Sequence, residues 1–250
     1  AIHLNPTNPS LHFPQTGLFV RGDSLERQDF QITGIIKNSF KMIYKALRLL
    51  FWMLFFVCFF YFLIPKFKYL SDGIPEYMGK TSFTDQLWFV LHIVSGVIVY
   101  STGIFQFLPA FRNKHLSTHR KLGKIFIAAS LLCIISLYFI IQDNLCASCK
   151  KSQFLNTALW LIFISLAIFF IKKKRIQLHQ RFMISSFICA SYFVTVRLID
   201  KFGMGFFKKI TSNEDDAFLY SDFAAWLVPL IVFWSSWGII DFSKRNRSLS

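Results

Sequence analysis

The stretch Ile125–Ile141, IFIAASLLCIISLYFII, decides the fold class, because its 17 residues include no charged side chain. At 1.5 Å per residue, a helix of this length spans about 25 Å, most of the hydrocarbon core of a bilayer. A strand of a membrane barrel is shorter, about 9–11 residues, and alternates apolar with polar side chains. This run does not alternate, and it therefore predicts a transmembrane helix.

Five further apolar runs are long enough to cross a membrane. They are Ala46–Ile64, Gln86–Phe111, Leu155–Ile171, Phe182–Ile199 and Phe223–Ile240. The composition of the 250 residues agrees, because 16% are charged and 32 are Phe, whereas soluble globular chains average about 25% charged residues. Intrinsic disorder and a disulfide scaffold do not fit this hydrophobicity and the five Cys. We predict an all-α polytopic protein with a bundle of six transmembrane helices.

Lys and Arg are concentrated on one side of these spans. The segments 1–48, 112–124, 172–181 and 241–250 hold 19 of the 28 basic residues. Flanking loops rich in Lys and Arg remain on the cytoplasmic side of a membrane. We therefore expect both termini in the cytoplasm. The cations would meet anionic lipid headgroups there, and no motif indicates nucleic-acid binding.

The domain organisation follows from the same pattern. Residues 1–45 are expected to form a proline-containing coil and the start of an amphipathic lead-in helix, Phe30–Leu50, which either lies on the membrane surface or docks another membrane subunit. Residues 46–241 would form the six-helix domain, and 242–250 a short basic cytoplasmic tail.

Polar residues inside the spans predict an outer site. Steps of three and four residues from His92 reach Gln106, and Arg197 lies 18 residues, or five helical turns, after His179. Ionisable groups within a membrane are functional candidates. We assign His92, Gln106 and Arg197 to an outer polar site that binds an anionic or quinone-like ligand or relays protons. The alternative is structural: Arg197 pairs with Asp200, and His92 bonds a neighbouring helix.

Histidines at the feet of two helices predict a second, inner site. His119 and His179 could be the axial ligands of a b-type haem whose propionates meet Arg112, Arg120 and Arg181. A metal site formed by His115, His119 and His179 is a second possibility, because histidines four residues apart share a helix face. In the third interpretation, these histidines extend the belt that binds headgroups.

The motif Cys146-Ala-Ser-Cys149 lies in an outer loop. Cysteines outside the cytoplasm tend to oxidise, which favours a local disulfide. A redox-active pair and two idle thiols are the alternatives. The other three cysteines, Cys58, Cys133 and Cys189, lie in spans and are interpreted as small apolar fillers.

Several motifs in a fixed order carry a family resemblance. They are Leu91-His92-Ile-Val-Ser-Gly96, Gly103-Ile-Phe-Gln106, Arg112, His119-Arg120-Lys-Leu-Gly123, His179-Gln-Arg181-Phe-Met183 and Val196-Arg197-Leu198. Over about residues 85–200, the chain resembles the bacterial predicted membrane proteins grouped as domain of unknown function 2306. The resemblance implies a bacterial inner-membrane protein and marks the polar residues of these motifs, His92, Gln106, Arg112, His119, Arg120, His179, Arg181 and Arg197, as recurrent family positions.

The sequence leaves three functions open. The first is a redox or proton-transfer protein of the inner membrane, with haem b as the candidate cofactor. The second is a non-catalytic subunit that anchors or scaffolds a membrane complex through residues 1–45. The third is a transporter of small molecules or ions, suggested by the similarity of the basic loops 112–121 and 172–181.

Overall fold

The computed structural model describes residues 20–68, 72, 82–142 and 146–247, and every regular element among them is helical. The helices are α1 (Val20–Leu63), α2 (Phe83–Phe107), α3 (Pro109–Lys114), α4 (Leu116–Gln142), α5 (Ala147–Lys172), α6 (Ile176–Ala190), α7 (Tyr192–Leu198), α8 (Met204–Ile210) and α9 (Glu214–Arg247). A 3₁₀ turn, Ile64–Lys66, follows α1, and a π-helical turn, Ile199–Gly203, joins α7 to α8. The predicted all-α class is confirmed for this part of the chain.

The chain divides into two compact units, residues 1–57 and 58–250. In the first unit, the predicted lead-in segment 30–50 is helical. Most of the side chains that would form its apolar side lie outside the described residues, as do the first 19 residues, for which the sequence predicts a coil. Helix α9 continues to Arg247, so the described part of the predicted C-terminal tail, residues 242–247, is helical.

Five helices are long and apolar enough to cross a membrane: Met42–Leu63, Phe83–Phe107, Leu116–Gln142, Ala147–Lys172 and Glu214–Ser243. A sixth span exists if the bent pair Ile176–Ala190 and Tyr192–Ile210 crosses once. Five of the six predicted runs thus correspond to helices of this kind, and the run Phe182–Ile199 corresponds to the bent pair. The helices extend beyond the predicted runs, since residues such as His119 and Arg120 continue a helix although they are polar.

The second predicted span, Gln86–Phe111, extends past the C-terminal end of its helix. The apolar run continues to Phe111, but α2 ends at Phe107 and Leu108 is extended. Pro109 occupies the first position of α3. A proline disfavours helical backbone in the residue before it. The helix therefore ends before Pro109, although the apolar run continues to Phe111.

The fifth predicted span is not a straight helix. It bends by 46° between α6 and α7, at Ser191. The Ser191 hydroxyl donates to the Phe187 carbonyl over 2.8 Å, and Thr195 Oγ1 donates to the Ser191 carbonyl over 3.2 Å. The count of five helical turns from His179 to Arg197 assumes a straight helix, and the bend at Ser191 interrupts that helix.

Neighbouring helices satisfy the carbonyls at this bend. Tyr100 of α2 donates its hydroxyl to the Ala190 carbonyl over 2.9 Å, and Asn156 Nδ2 of α5 donates to the Cys189 carbonyl over 3.2 Å. Inside a membrane, a carbonyl released from a helix must find a partner within the protein. Two polar side chains from other helices therefore hold the bend in place.

Within residues 58–250, α2 packs mainly against α4, and α5 mainly against α6. Small residues allow this close approach. The fully buried serines at these contacts are Ser95, Ser130, Ser136, Ser152, Ser185 and Ser186. On the outer faces, large apolar side chains such as Leu131, Ile135 and Val228 are exposed, as expected for surfaces in contact with lipid.

Candidate functional site

A cavity of about 470 Å³ lies inside residues 58–250. We call the end of the bundle that contains Cys146 and Asp200 the disulfide end, and the opposite end, with His119 and His179, the histidine end. The cavity is at the disulfide end, and its volume is in the range of small-molecule sites. Its apolar wall includes Phe59, Leu63, Phe89, Ile93, Val97, Leu137, Ile140, Phe193, Val196 and Phe218.

One polar group in the wall joins α2 to α4. His92 Nδ1 lies 3.3 Å from the sulfur of Cys133, and both residues line the cavity. Cys133 was interpreted from the sequence as a filler inside a span. The structure instead places its thiol against the one imidazole of this wall, where it fixes the orientation of the His92 ring.

A second polar group in the wall joins α7 to α9. Tyr192 donates its hydroxyl to Asp222 Oδ1 and accepts a hydrogen bond from Gln153 Nε2 of α5 over 3.2 Å. Asp222 is 3% exposed. A carboxyl buried within a candidate membrane span is expensive and is retained only with partners or for function.

Asp222 is a candidate site residue that the hydropathy pattern does not reveal. The last predicted span begins at Phe223 and leaves Asp222 outside it, whereas α9 begins at Glu214 and holds Asp222 two turns inside the helix. A signal was available, because Ser221, Asp222, Ala225 and Trp226 follow helical spacing and are all buried. These residues lie on both sides of Phe223, the predicted start of the last span. Their helical spacing therefore indicates that the helix begins before Phe223.

Arg197 lies at the same cavity, in a more exposed position. Its guanidinium is 3.7 Å from Asp200 Oδ2, and both side chains are partly exposed. The structure therefore contains both arrangements considered for this residue: Arg197 pairs with Asp200, and it also lines the cavity that His92 lines. His92 and Arg197 are thus brought to one site.

Three buried polar atoms in residues that line the cavity have no hydrogen-bond partner among the described residues. They are Asn156 Oδ1, Trp160 Nε1 and Asp222 Oδ2. Asn156 is 2% exposed and Trp160 is 4% exposed. Buried polar atoms without partners are uncommon and costly, so three of them in residues of one cavity wall make this wall a candidate binding site.

Cys146 and Cys149 form a disulfide that also belongs to the cavity wall. Cys146 is the N-cap residue of α5. This is the local disulfide named as one alternative for the motif, and its position beside the cavity was not foreseen.

Gln106 does not belong to this cavity. It is buried near the end of α2, and its amide donates to the His119 carbonyl over 3.1 Å. The prediction that placed Gln106 with His92 and Arg197 relied on a shared helix face. Fourteen residues separate it from His92, about 21 Å along a helix, so Gln106 belongs to the histidine end.

At the histidine end, His119 lies within electrostatic range of Arg112, Arg120 and His179. His119 Nδ1 is buried and has no hydrogen-bond partner among the described residues. His179 Nδ1 lies 2.9 Å from the Ala167 carbonyl, which accepts its proton. The two imidazoles predicted as haem ligands therefore interact electrostatically, and Nε2 is the ring nitrogen of His179 that this bond does not use.

The three-histidine metal site is not formed. The described residues contain no group of three His, Cys, Asp or Glu side chains arranged to hold a metal ion. His115 is exposed and lies beside the ring of Phe111. It precedes the first residue of α4 and has irregular backbone, so the argument from helical spacing to His119 does not apply to it.

Arg181, predicted to bind a propionate, already has partners. It forms a 2.6 Å ion pair with Asp241 and stacks 4.4 Å from the centre of the Trp237 ring. These contacts fix α6 to α9 at the histidine end. Arg112 and Arg120 remain the candidates for a negatively charged group beside His119.

Residues 89–237 match the model of a family described as predicted membrane protein (DUF2306). The chain belongs to this family. The chain matches no curated protein and no solved structure. The DUF2306 match extends beyond the resemblance seen at residues 85–200 and includes most of α9. Apart from Phe59 and Leu63, every cavity residue named above lies within the matched segment.

Proposed function

We propose that this multi-pass membrane protein binds a lipid-soluble quinone-type ligand in the cavity at the disulfide end, where groups of the wall can supply the protons that a quinone takes up when it is reduced. The observation that carries the proposal is the set of three unpaired buried polar atoms, in Asn156, Trp160 and Asp222, at one apolar cavity. A quinone ring suits this wall, because its body is apolar and its two oxygens form hydrogen bonds.

The unpaired atoms match both redox forms of such a ring. Trp160 Nε1 is a donor for a quinone carbonyl, whereas Asn156 Oδ1 and Asp222 Oδ2 are acceptors for the hydroxyls of a quinol. The hydrogen-bonded pair of Tyr192 and Asp222 and the imidazole of His92 can give or take protons. The cavity therefore offers binding and proton exchange at the same place.

Tryptophan fluorescence tests this proposal directly. Decylubiquinone, a short-chain quinone, is titrated into detergent-purified protein, and we expect saturable quenching because quinones quench an excited indole and Trp160 lines the cavity. Trp160→Phe should remove much of the quenching, whereas Trp237→Phe, at the histidine end, should retain it. Quenching that rises linearly without saturation, and equally in both variants, would show partition into detergent and contradict the proposal.

We further propose that the protein lies in the bacterial inner membrane with the histidine end and both termini in the cytoplasm. The support is the charge distribution: Lys172, Lys173, Lys174 and Arg175 are exposed at the histidine end, where they would meet anionic headgroups. In intact cells, a membrane-impermeant maleimide should label Lys209→Cys at the disulfide end and spare Asn113→Cys. The reverse labelling pattern would refute this orientation.

Haem b at the histidine end is a second candidate function. Its support is the electrostatic interaction between His119 and His179 at one end of the bundle, with the Nδ1 of His179 bonded to the Ala167 carbonyl, as is common for ligating histidines. A reduced-minus-oxidised visible spectrum of purified protein should show haem bands that disappear in His119→Ala and His179→Ala but persist in His115→Ala. A flat wild-type spectrum would end this proposal and leave the quinone cavity untouched.

A further inference from the structure

The disulfide of Cys146 and Cys149 is placed to react with a molecule in the cavity. Both cysteines line it. Cys149 is 6% exposed, whereas Cys146 is only partly buried. One sulfur therefore belongs to the protein interior, and the other can also be approached from the protein surface.

The local structure around Cys146 favours a thiolate when the disulfide is reduced. Cys146 is the N-cap of α5, and its sulfur accepts a hydrogen bond from the Cys149 backbone N–H over 3.3 Å. The Ser148 hydroxyl lies 3.4 Å from the same sulfur. Thiolates at the N-terminus of a helix are stabilised by the aligned peptide dipoles, and the thiolate is the reactive form of cysteine.

Proton-exchanging groups occupy the same cavity wall. Tyr192 and Asp222 are hydrogen-bonded to each other, and Gln153, one turn after Cys149 on α5, bonds Tyr192. A two-electron reaction between thiols and a quinone also moves two protons. The cavity thus brings together a dithiol, an apolar ring site and groups that carry protons.

We propose that Cys146 and Cys149 form a redox centre that exchanges two electrons with a quinone held in the cavity; this inference rests on the proposed function. In the oxidising direction, two S–H bonds break and one S–S bond forms, which releases two electrons and two protons. The quinone takes up both electrons, and its two carbonyl oxygens become the hydroxyls of a quinol. The reverse reaction reduces the disulfide with a quinol.

Anaerobic mixing of reduced protein with decylubiquinone tests the redox centre. Detergent-purified full-length protein is reduced with dithiothreitol, desalted and mixed with the quinone. We expect one quinol formed per chain, measured by the loss of quinone absorbance, and the loss of two maleimide-reactive thiols per chain. Peptide mapping of the wild-type protein should locate the new S–S bond between Cys146 and Cys149.

Serine variants supply the controls. Cys146→Ser and Cys149→Ser should each slow quinol formation by at least about tenfold, because a single thiol cannot close the disulfide. Cys58→Ser is the matched control, since Cys58 is a free cysteine that does not line the cavity, and it should react like wild type. Equal slowing in Cys58→Ser, or a new bond mapped elsewhere, would overturn the inference.

The two proposals fail in different ways. If decylubiquinone quenches tryptophan fluorescence saturably but the wild-type thiols stay reduced, the redox centre is refuted and the binding function stands. If saturable quenching is absent from the wild type, the binding function itself is refuted. The mapping experiment needs no variant, so it remains decisive even where a serine variant does not fold.

Discussion

Asp222→Asn is expected to weaken decylubiquinone binding by at least about tenfold, which corresponds to about 1.4 kcal/mol. The carboxylate accepts the Tyr192 hydroxyl at one oxygen and presents its second oxygen, buried and unpaired, in a residue of the cavity wall. An amide replaces one acceptor by a donor, so either Tyr192 or the bound quinol loses its acceptor. Leaving a buried polar group unpaired costs about 1–3 kcal/mol.

The matched control for this variant is Asp216→Asn. Asp216 belongs to the same helix, is exposed and does not line the cavity. The Asp216→Asn variant loses the same charge as Asp222→Asn and should bind decylubiquinone as the wild type does. If both variants lose affinity equally, the effect is due to net charge, and Asp222 has no specific role at the cavity.

Gly96→Leu is expected to abolish saturable decylubiquinone binding by filling the cavity. Gly96 lines the cavity, and a Cβ built there would meet no atom within 4 Å. The leucine side chain can therefore extend into the space that the quinone would occupy, without a clash at its first carbon. Leucine is also a better helix former than glycine, so the helix itself should not be weakened.

Gly205→Leu provides the comparison. Gly205 is also a helical glycine with no atom within 4 Å of a built Cβ, but it does not line the cavity. We expect Gly205→Leu to bind decylubiquinone with wild-type affinity. Thermal unfolding is measured for the wild type, Gly96→Leu and Gly205→Leu. A Gly96→Leu protein that unfolds like wild type and still binds decylubiquinone would exclude the cavity as the binding site.

The number of spans and their helical nature could be predicted because they depend on hydrophobicity alone. Runs such as Ile125–Ile141 leave the chain no alternative to a helix in lipid. The division into an outer and an inner site corresponds to two ends of the bundle, since His92 and Arg197 line one cavity while His119 and His179 lie at the other end. Both results need only helix rise and the order of the spans.

The features that were missed depend on contacts between helices. No proline marks the bend at Ser191, and Tyr100 and Asn156, which satisfy its carbonyls, are distant in sequence. Asp222 was left outside the last predicted span because a hydropathy pattern indicates where the apolar residues begin, and the helix begins earlier. Gln106 was misplaced because a shared face does not imply a shared depth. Each of these errors follows from treating a helix in isolation.

The inner histidines show a related limit. Spacing of four residues suggested that His115 and His119 share a face, but the helix starts only at Leu116, after His115. Arg181 occupies one of the family motif positions, yet its guanidinium already forms an ion pair with Asp241 and stacks on the Trp237 ring. Sequence motifs identify polar residues that matter, whereas partners decide which of them remain available to a ligand.

Photolabelling is the most direct test that the cavity at the disulfide end holds a quinone. An azido-quinone is irradiated with the purified protein, and the labelled peptides are mapped by mass spectrometry with and without excess decylubiquinone. We expect competable label at cavity residues such as Val97, Leu137 and Phe193. Label confined to lipid-facing residues such as Leu131 and Val228, or label that excess decylubiquinone does not suppress, would contradict quinone binding in this cavity.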